Sequence, residues 1–162
     1  MKKENTLKPK TVDESRTEQV QILTQSTLNG TKRLFGGQLM QWIDIVAAVV
    51  ARRHSGCNIT TAVVDTLQFI NPAYGNDMVV LEGYMTYTGR TSMEVCVKTY
   101  VESLDGKRHE INTAYIVMVA LDENENPTQV PPLLITTDEE KEEWNAAVKR
   151  NDLRKLRRKE RF

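Results

Sequence analysis

The sequence predicts an α+β domain in which an antiparallel sheet wraps around one central helix. Two observations predict it. Residues 34–51 are apolar or neutral apart from a single charge, Asp44, and beyond Gln41 the apolar residues fall on every face, as in a helix buried all round. Four segments rich in Val, Ile, Thr and Tyr follow, and their short separators make neighbouring strands antiparallel.

A chain of 162 residues, 40% of them hydrophobic, suffices for one domain with a core and is too short for two ordinary ones. With 22 basic and 22 acidic residues, its overall field argues against a general nucleic-acid binder. Cys57 and Cys96 stand far apart and outside any CxxC or Cys/His cluster, which speaks against a disulfide framework and a structural metal site and fits reduced thiols in the cytosol. The first ten residues are polar, and no uninterrupted apolar span of roughly 20 residues is present, so neither secretion nor membrane insertion is expected.

Residues 1–16 are charged and aperiodic and read as a flexible lead-in to a domain over 17–133. Residues 20–23 form a short strand candidate, and Asn29-Gly30 marks a turn. The helix runs over about 37–54, entered through Gly36-Gly37 and ended by Ser55-Gly56. Strands follow as a meander over 59–69, 78–88, 92–102 and 111–121, divided by Asn71-Pro72, Gly89-Arg90 and Asp105-Gly106. In the third, Met93, Val95, Val97 and Val101 alternate with Glu94, Lys98 and Glu102, the mark of a half-solvated strand. A sheet covers only one side of a helix, so the other side calls for a second copy of the chain. Residues 134–162 read as a charged helical extension: Thr137 to Glu140 is a capping box, residues 149–161 are a basic end, and Trp144, Val148, Leu153 and Leu156 give a thin stripe for packing on the outside.

For chemistry, the chain offers no G-x-S-x-G elbow and no phosphate loop, and His54 and His109 have nothing nearby to orient them. Asn29, Gly36, Gly37 and Asp44 remain. An asparagine amide orients a water or a carbonyl. Backbone N–H groups at the helix start can face a developing oxyanion, helped by the helix dipole. A carboxylate in an apolar helix takes a proton from water or attacks directly, and burial would raise its pKa. Taken singly, Asn29-Gly30 also reads as a type I′ turn, Gly36-Gly37 as close helix–sheet packing, and Asp44 as a partner of Arg52 or Arg53.

Together, Asn29, the segment Phe35-Gly36-Gly37-Gln38-Leu39-Met40 and Asp44 resemble the hotdog-fold acyl-CoA thioesterases, the small bacterial cytosolic type related to mammalian cytosolic long-chain acyl-CoA hydrolase. The likeness continues through Ala51-Arg52-Arg53-His54, Thr61 to Asp65, Phe69-Ile70-Asn71-Pro72 and Thr88 to Met93, covering about residues 18–133. It implies hydrolysis of acyl-CoA to fatty acid and CoA at two sites per homodimer, each shared across the interface. It also implies three dimers in a hexamer, a cytoplasmic location, and no cofactor or metal beyond the CoA of the substrate. Asp44 takes the position of the catalytic carboxylate, as general base or nucleophile. Asn29 comes from the other protomer, the Gly37 N–H binds the thioester oxygen, and Thr61 lies close to the centre. Gly36, Gly89, Arg90, Thr91 and Ser92 take substrate positions, the last four along the pantetheine and phosphate path. Residues 153–159 fall outside the resemblance and read as a solvated helical face, with nucleotide-phosphate contact as the second reading. The competing functions are a non-catalytic acyl-CoA sensor, for which residues 1–16 are too short to supply a DNA-binding segment, and a dehydratase, which lacks a histidine beside the acid.

Overall fold

The structure, a computed structural model, describes residues 6–162. Its elements are β1 (Lys10–Thr11), β2 (Thr17–Ile22), α1 (Gly36–Ser55), β3 (Asn58–Phe69), β4 (Met78–Thr88), β5 (Ser92–Glu102), β6 (Arg108–Leu121), β7 (Leu133–Leu134) and α2 (Asp138–Glu160). Five strands form one antiparallel sheet in the order β2-β4-β5-β6-β3, and β1 pairs with β7 in parallel. This is the α+β hotdog arrangement expected from the sequence, with α1 packed against all five strands.

Helix α1 ends where Gly56 adopts φ 68° and donates its N–H to the Arg52 carbonyl at 2.8 Å, a left-handed cap that glycine takes without strain. Its core face is Leu39, Trp42, Ile43, Val46, Ala47, Val50 and Ala51. Gly83 lets the helix lie close on the sheet, because a Cβ there would come within 2.6 Å of Val46 Cγ1. None of the described helices is long and apolar enough to cross a membrane.

Four expectations are corrected. The meander holds from β4 to β6, but β3 pairs with β6 at the far edge, because β2 occupies the free side of β4. Helix α1 is not buried all round in a single chain: Met40 and Ile45 are exposed, as are Val64 and Phe69 on the edge strand β3. The lead-in is ordered from Lys10, since β1 pairs with β7 and Val12 enters the core, while residues 1–5 lie outside the described set. The half-solvated strand is covered, for Glu94 is 1% exposed beneath α2.

That last correction follows from how α2 docks. The Thr137 hydroxyl caps it by accepting from the Glu140 N–H at 3.1 Å, as the capping box requires. Of its expected apolar stripe only Trp144 packs inward, with its ring 4.7 Å from that of Tyr87, while Val148, Leu153 and Leu156 face outward. Charge does the rest. Glu94 accepts from Arg150 at 2.7 Å and from Arg154 at 2.7 Å, and Asp65 accepts from Arg154 at 2.8 Å and from Arg157 at 3.1 Å. Arg154 thus leaves the solvated face to which residues 153–159 were assigned, while Arg157 pairs with Asp65 and stays exposed.

Candidate active site

Asp44 lies half-buried on α1, on the side of the helix that the sheet leaves open. Its partner is Thr61, whose Oγ1 donates to Asp44 Oδ1 at 2.7 Å. Thr61 is positioned by pairing with Met118 of β6, at a register shift in β3 that lies between Thr61 and Val63. Met118 Sδ stands 3.5 Å from the same hydroxyl and adds an apolar wall. Arg53 is engaged elsewhere, donating to the Arg16 carbonyl and to Thr17 Oγ1, and does not serve as the ion-pair partner of Asp44.

The start of α1 is an uncapped N-terminus. Phe35 supplies no side-chain cap, the first turn holds no acid, and Arg52 and Arg53 complement the dipole at the other end. The first backbone bond of the helix runs from the Leu39 N–H to the Phe35 carbonyl at 3.1 Å, so the N–H groups of Gly36, Gly37 and Gln38 have no acceptor among the described residues. The Phe35 ring folds over Gly37, where a Cβ would meet Phe35 Cε1 at 2.7 Å, and a Cβ on Gly36 would lie 3.3 Å from the Phe69 ring.

Asn29 builds the loop before this helix. Its Oδ1 accepts from the Thr31 N–H at 3.0 Å, the Thr31 hydroxyl at 2.8 Å and the Arg33 N–H at 3.1 Å. The positive φ falls on Lys32, at 58°, and not on Gly30, so the loop is an asparagine-centred turn rather than the type I′ alternative. With Oδ1 turned into the loop, the amide donors of Asn29 remain for another partner. Asn29 stands at a cavity of about 310 Å³ lined also by Leu34, Leu39, Phe69 and Ile111.

The 89–92 turn joins β4 to β5. Gly89 donates to the Ser92 carbonyl at 2.8 Å, and a Cβ on Gly89 would meet Ser92 Oγ at 2.7 Å. The carbonyls of Thr91 and Arg90 accept from Ala120 and Val130, both at 3.0 Å, which ties the turn to the end of β6. Ser92 pairs with Val119, which pairs with Thr60, so the turn shares one end of the sheet with Thr61.

One chain therefore brings together Asp44 and Thr61, sets Asn29 in the loop that leads into the helix opened by Gly36 and Gly37, and leaves these two groups apart. Gly37 and Asp44 are seven residues apart on one helix, about 10 Å along its axis. The buried His54 hydrogen-bonds the Pro131 carbonyl through Nε2 at 2.9 Å, and burial pushes its pKa below the ordinary value, while His109 is exposed on β6. Among the described residues no group of three His, Cys, Asp or Glu side chains comes together to hold a metal ion. The sequence reading missed Met118 beside Thr61 and the Asp65–Glu94–Arg150–Arg154 network. The one signal for that network is the spacing of Arg150 and Arg154, one helical turn apart.

The chain matches the thioesterase superfamily over residues 31–105. It is 41% identical over 132 residues to an uncharacterised acyl-CoA thioester hydrolase of Bacillus subtilis (strain 168), covering 81% of this chain and 77% of that one. It is 32% identical over 141 residues to the cytosolic acyl coenzyme A thioester hydrolase of Rattus norvegicus, covering 84% of this chain but spanning only 36% of the rat protein. Among solved structures, an acyl-CoA hydrolase from Staphylococcus aureus in complex with butyryl-CoA, CoA and CoA disulfide superimposes with a TM-score of 0.89 at 32% identity, covering 93% of each chain. An apo-hexameric acyl-CoA thioesterase does so with 0.89 at 36% identity, covering 93% of this chain and 97% of that one. Alanine variants of the S. aureus hydrolase at an aspartate, an asparagine and a threonine match with TM-scores of 0.91, 0.91 and 0.89 at 30%, 30% and 31% identity.

Proposed function

The chain belongs to the acyl-CoA thioester hydrolases of the thioesterase superfamily, and on that premise we propose that it hydrolyses acyl-CoA to free fatty acid and CoA at a site shared by two copies. The observation that carries the reading is the Thr61-to-Asp44 hydrogen bond of 2.7 Å on the open side of a helix whose first N–H groups are unpaired.

Sharing follows from distance. A thioester whose oxygen sits on the Gly37 N–H is about 10 Å from Asp44 of the same helix, too far for attack. Edge strand β3 carries Thr61 near its start and Phe69, beside Gly36, at its end. Antiparallel pairing of two β3 edges brings the Thr61 end of one copy toward the Phe69 end of the other, and so one Asp44 toward the other Gly37 and Asn29. The same pairing covers the exposed Val64 and Phe69.

In the general-base form, Asp44 takes a proton from water, whose oxygen attacks the thioester carbon. The oxyanion is held by the Gly37 N–H of the second copy, with the Asn29 amide orienting the carbonyl or the water. Collapse expels the CoA thiolate, which takes up a proton. In the nucleophilic form an Asp44 oxygen attacks, the thiolate leaves, and water cleaves the resulting anhydride. Solvent oxygen-18 entering the Asp44 side chain in a single turnover separates the second form from the first. Thr61 fixes the carboxylate, and Gly89, Arg90, Thr91 and Ser92 line the way out for pantetheine. CoA is part of the substrate and no further cofactor is needed. Residues 17–133 form the catalytic domain, and three dimers assemble into a hexamer, a state that one of the matching structures also has.

Thiol release from a panel of short to long acyl-CoAs, by the wild type beside Asp44→Asn, tests the function. The wild type turns over at least one chain length, and the variant is slower by about a thousandfold. Tight binding of acyl-CoA without release in either protein would replace the hydrolase with an acyl-CoA sensor.

A further inference from the structure

Strand β3 breaks its pairing with β6 twice. Thr61 pairs with Met118 and Val63 with Val117, which leaves Ala62 as an extra residue, and Asp65 is a second one between Val64 and Thr66. In an unbroken strand, residues four apart face the same side of the sheet. Here Thr61 faces α1, where its hydroxyl donates to Asp44 at 2.7 Å, and Asp65 faces α2, where it accepts from Arg154 at 2.8 Å and from Arg157 at 3.1 Å. The Ala62 bulge is what turns the two residues to opposite sides. The Asp65 side chain is only 6% exposed, and Arg154 donates through the same Nη1 to Glu94 at 2.7 Å. Glu94, Val117 and Val63 form one row across β5, β6 and β3, so this guanidinium ties the edge strand to the middle of the sheet.

We propose that Asp65 is a positioning residue for the hydrolysis: its ion pairs to α2 lock the Ala62 bulge, and the bulge turns the Thr61 hydroxyl onto Asp44. This rests on the hydrolase reading and gives α2, which lies outside the matched residues 31–105, a part in it. Register is what the ion pairs protect. Removing the bulge by a one-residue slip would move one set of side chains to the other face of the sheet. If Asp65 stayed with its arginines, Thr61 would turn away from Asp44. If Thr61 stayed on Asp44, Asp65 would pass to the apolar side of the sheet and leave Arg154 half-paired, a costly exchange for a buried carboxylate and a buried guanidinium. Both bonds form together only in the bulged register. As an edge strand, β3 has a ladder partner on one side alone within the chain, so backbone pairing gives its register less support than a central strand receives.

The test is a double-mutant cycle read by thiol release from an acyl-CoA that the wild type cleaves. Asp65→Asn lowers kcat about fivefold with KM within about twofold, whereas in a Thr61→Val background the same substitution changes kcat by less than about twofold, because the bond it served is already gone. Its effect on the urea midpoint is the same in both backgrounds, which separates positioning from stability. Arg157→Gln, at an exposed position, gives the same pattern more weakly and keeps the cycle readable if Asp65→Asn folds poorly. Lys155→Gln, which removes an equal charge from an exposed turn of α2, leaves kcat alone. An unchanged kcat in Asp65→Asn, equal losses in the two backgrounds, or a fall in kcat matched by loss of the dimer overturns the positioning role while the wild type still cleaves its ester. A wild type that cleaves no acyl-CoA overturns the hydrolase reading and the role with it.

Discussion

Toward α1, strands β4 to β6 present Leu81, Val95, Val97, Ile116 and Met118, whereas toward α2 the same strands present Tyr84, Glu94, Cys96 and Tyr115. The inner face is held by the burial of hydrocarbon. The outer face is held by carboxylates and guanidinium groups, with Arg150 stacked 3.6 Å over the Tyr115 ring and Cys96 so buried that its thiol pKa is pushed up to about 12. The difference teaches where polar groups carry function. On the inner side such groups are few, and the Thr61–Asp44 pair stands near the exposed Met40 and Ile45 of α1. On the outer side they are many and bind one another, holding α2 against the sheet.

The sharpest way to break the contrast is to remove the carboxylate at its centre. Glu94→Gln leaves the buried Arg154 and the half-buried Arg150 with weaker partners and is expected to cost about 3 to 5 kcal/mol, read from the urea midpoint, with α2 released before the sheet melts. An inner-face counterpart, Gly83→Ala, forces a methyl group to within 2.6 Å of Val46 and is expected to cost about 1 to 3 kcal/mol in the same measurement, without selective release of α2. Thr61→Val separates function from stability: the hydroxyl that orients Asp44 is exposed, so kcat falls about tenfold while the melting midpoint stays put.

The smallest effect is a pH dependence. Burial lowers the pKa of His54 from its ordinary 6.5, so the unfolded chain takes up a proton more readily than the folded one. Its contribution to stability is therefore complete above about pH 6.5 and is lost as the pH falls from there toward the depressed folded value. Urea midpoints compared at pH 7.5 and 5.5 are expected to drop on acidification in the wild type and to drop less in His54→Gln.

The parts legible in the sequence are those set by local physics. Helix α1 is announced by its apolar run and ended by the glycine that takes the left-handed cap, β4 and β5 by their β-branched runs, and the start of α2 by Thr137. The illegible parts depend on partners remote in the chain. Glu94 alternates like a solvent-facing residue because nothing near it in sequence shows that Arg150 and Arg154 will cover it. Lys10 and Thr11 look like a loose lead-in because their strand partner lies more than a hundred residues away. Strand β3 looks like the neighbour of β4 because sequence adjacency says nothing of β2 taking that place. Within the candidate site, Asp44, Gly36 and Gly37 were readable from one helix, while the Thr61 hydrogen bond required β3 to be placed against it.

The central claim is that the site is shared between copies, and mixing tests it most directly. Asp44→Asn and Asn29→Ala, each inactive alone, are co-expressed and assayed for thiol release. Recovery of about a quarter of wild-type activity is expected, since random pairing makes half of the dimers mixed and each mixed dimer keeps one site with both residues intact. No recovery, in mixtures shown by mass to contain mixed dimers, would place Asp44 and Asn29 in the same chain's site and contradict the shared one.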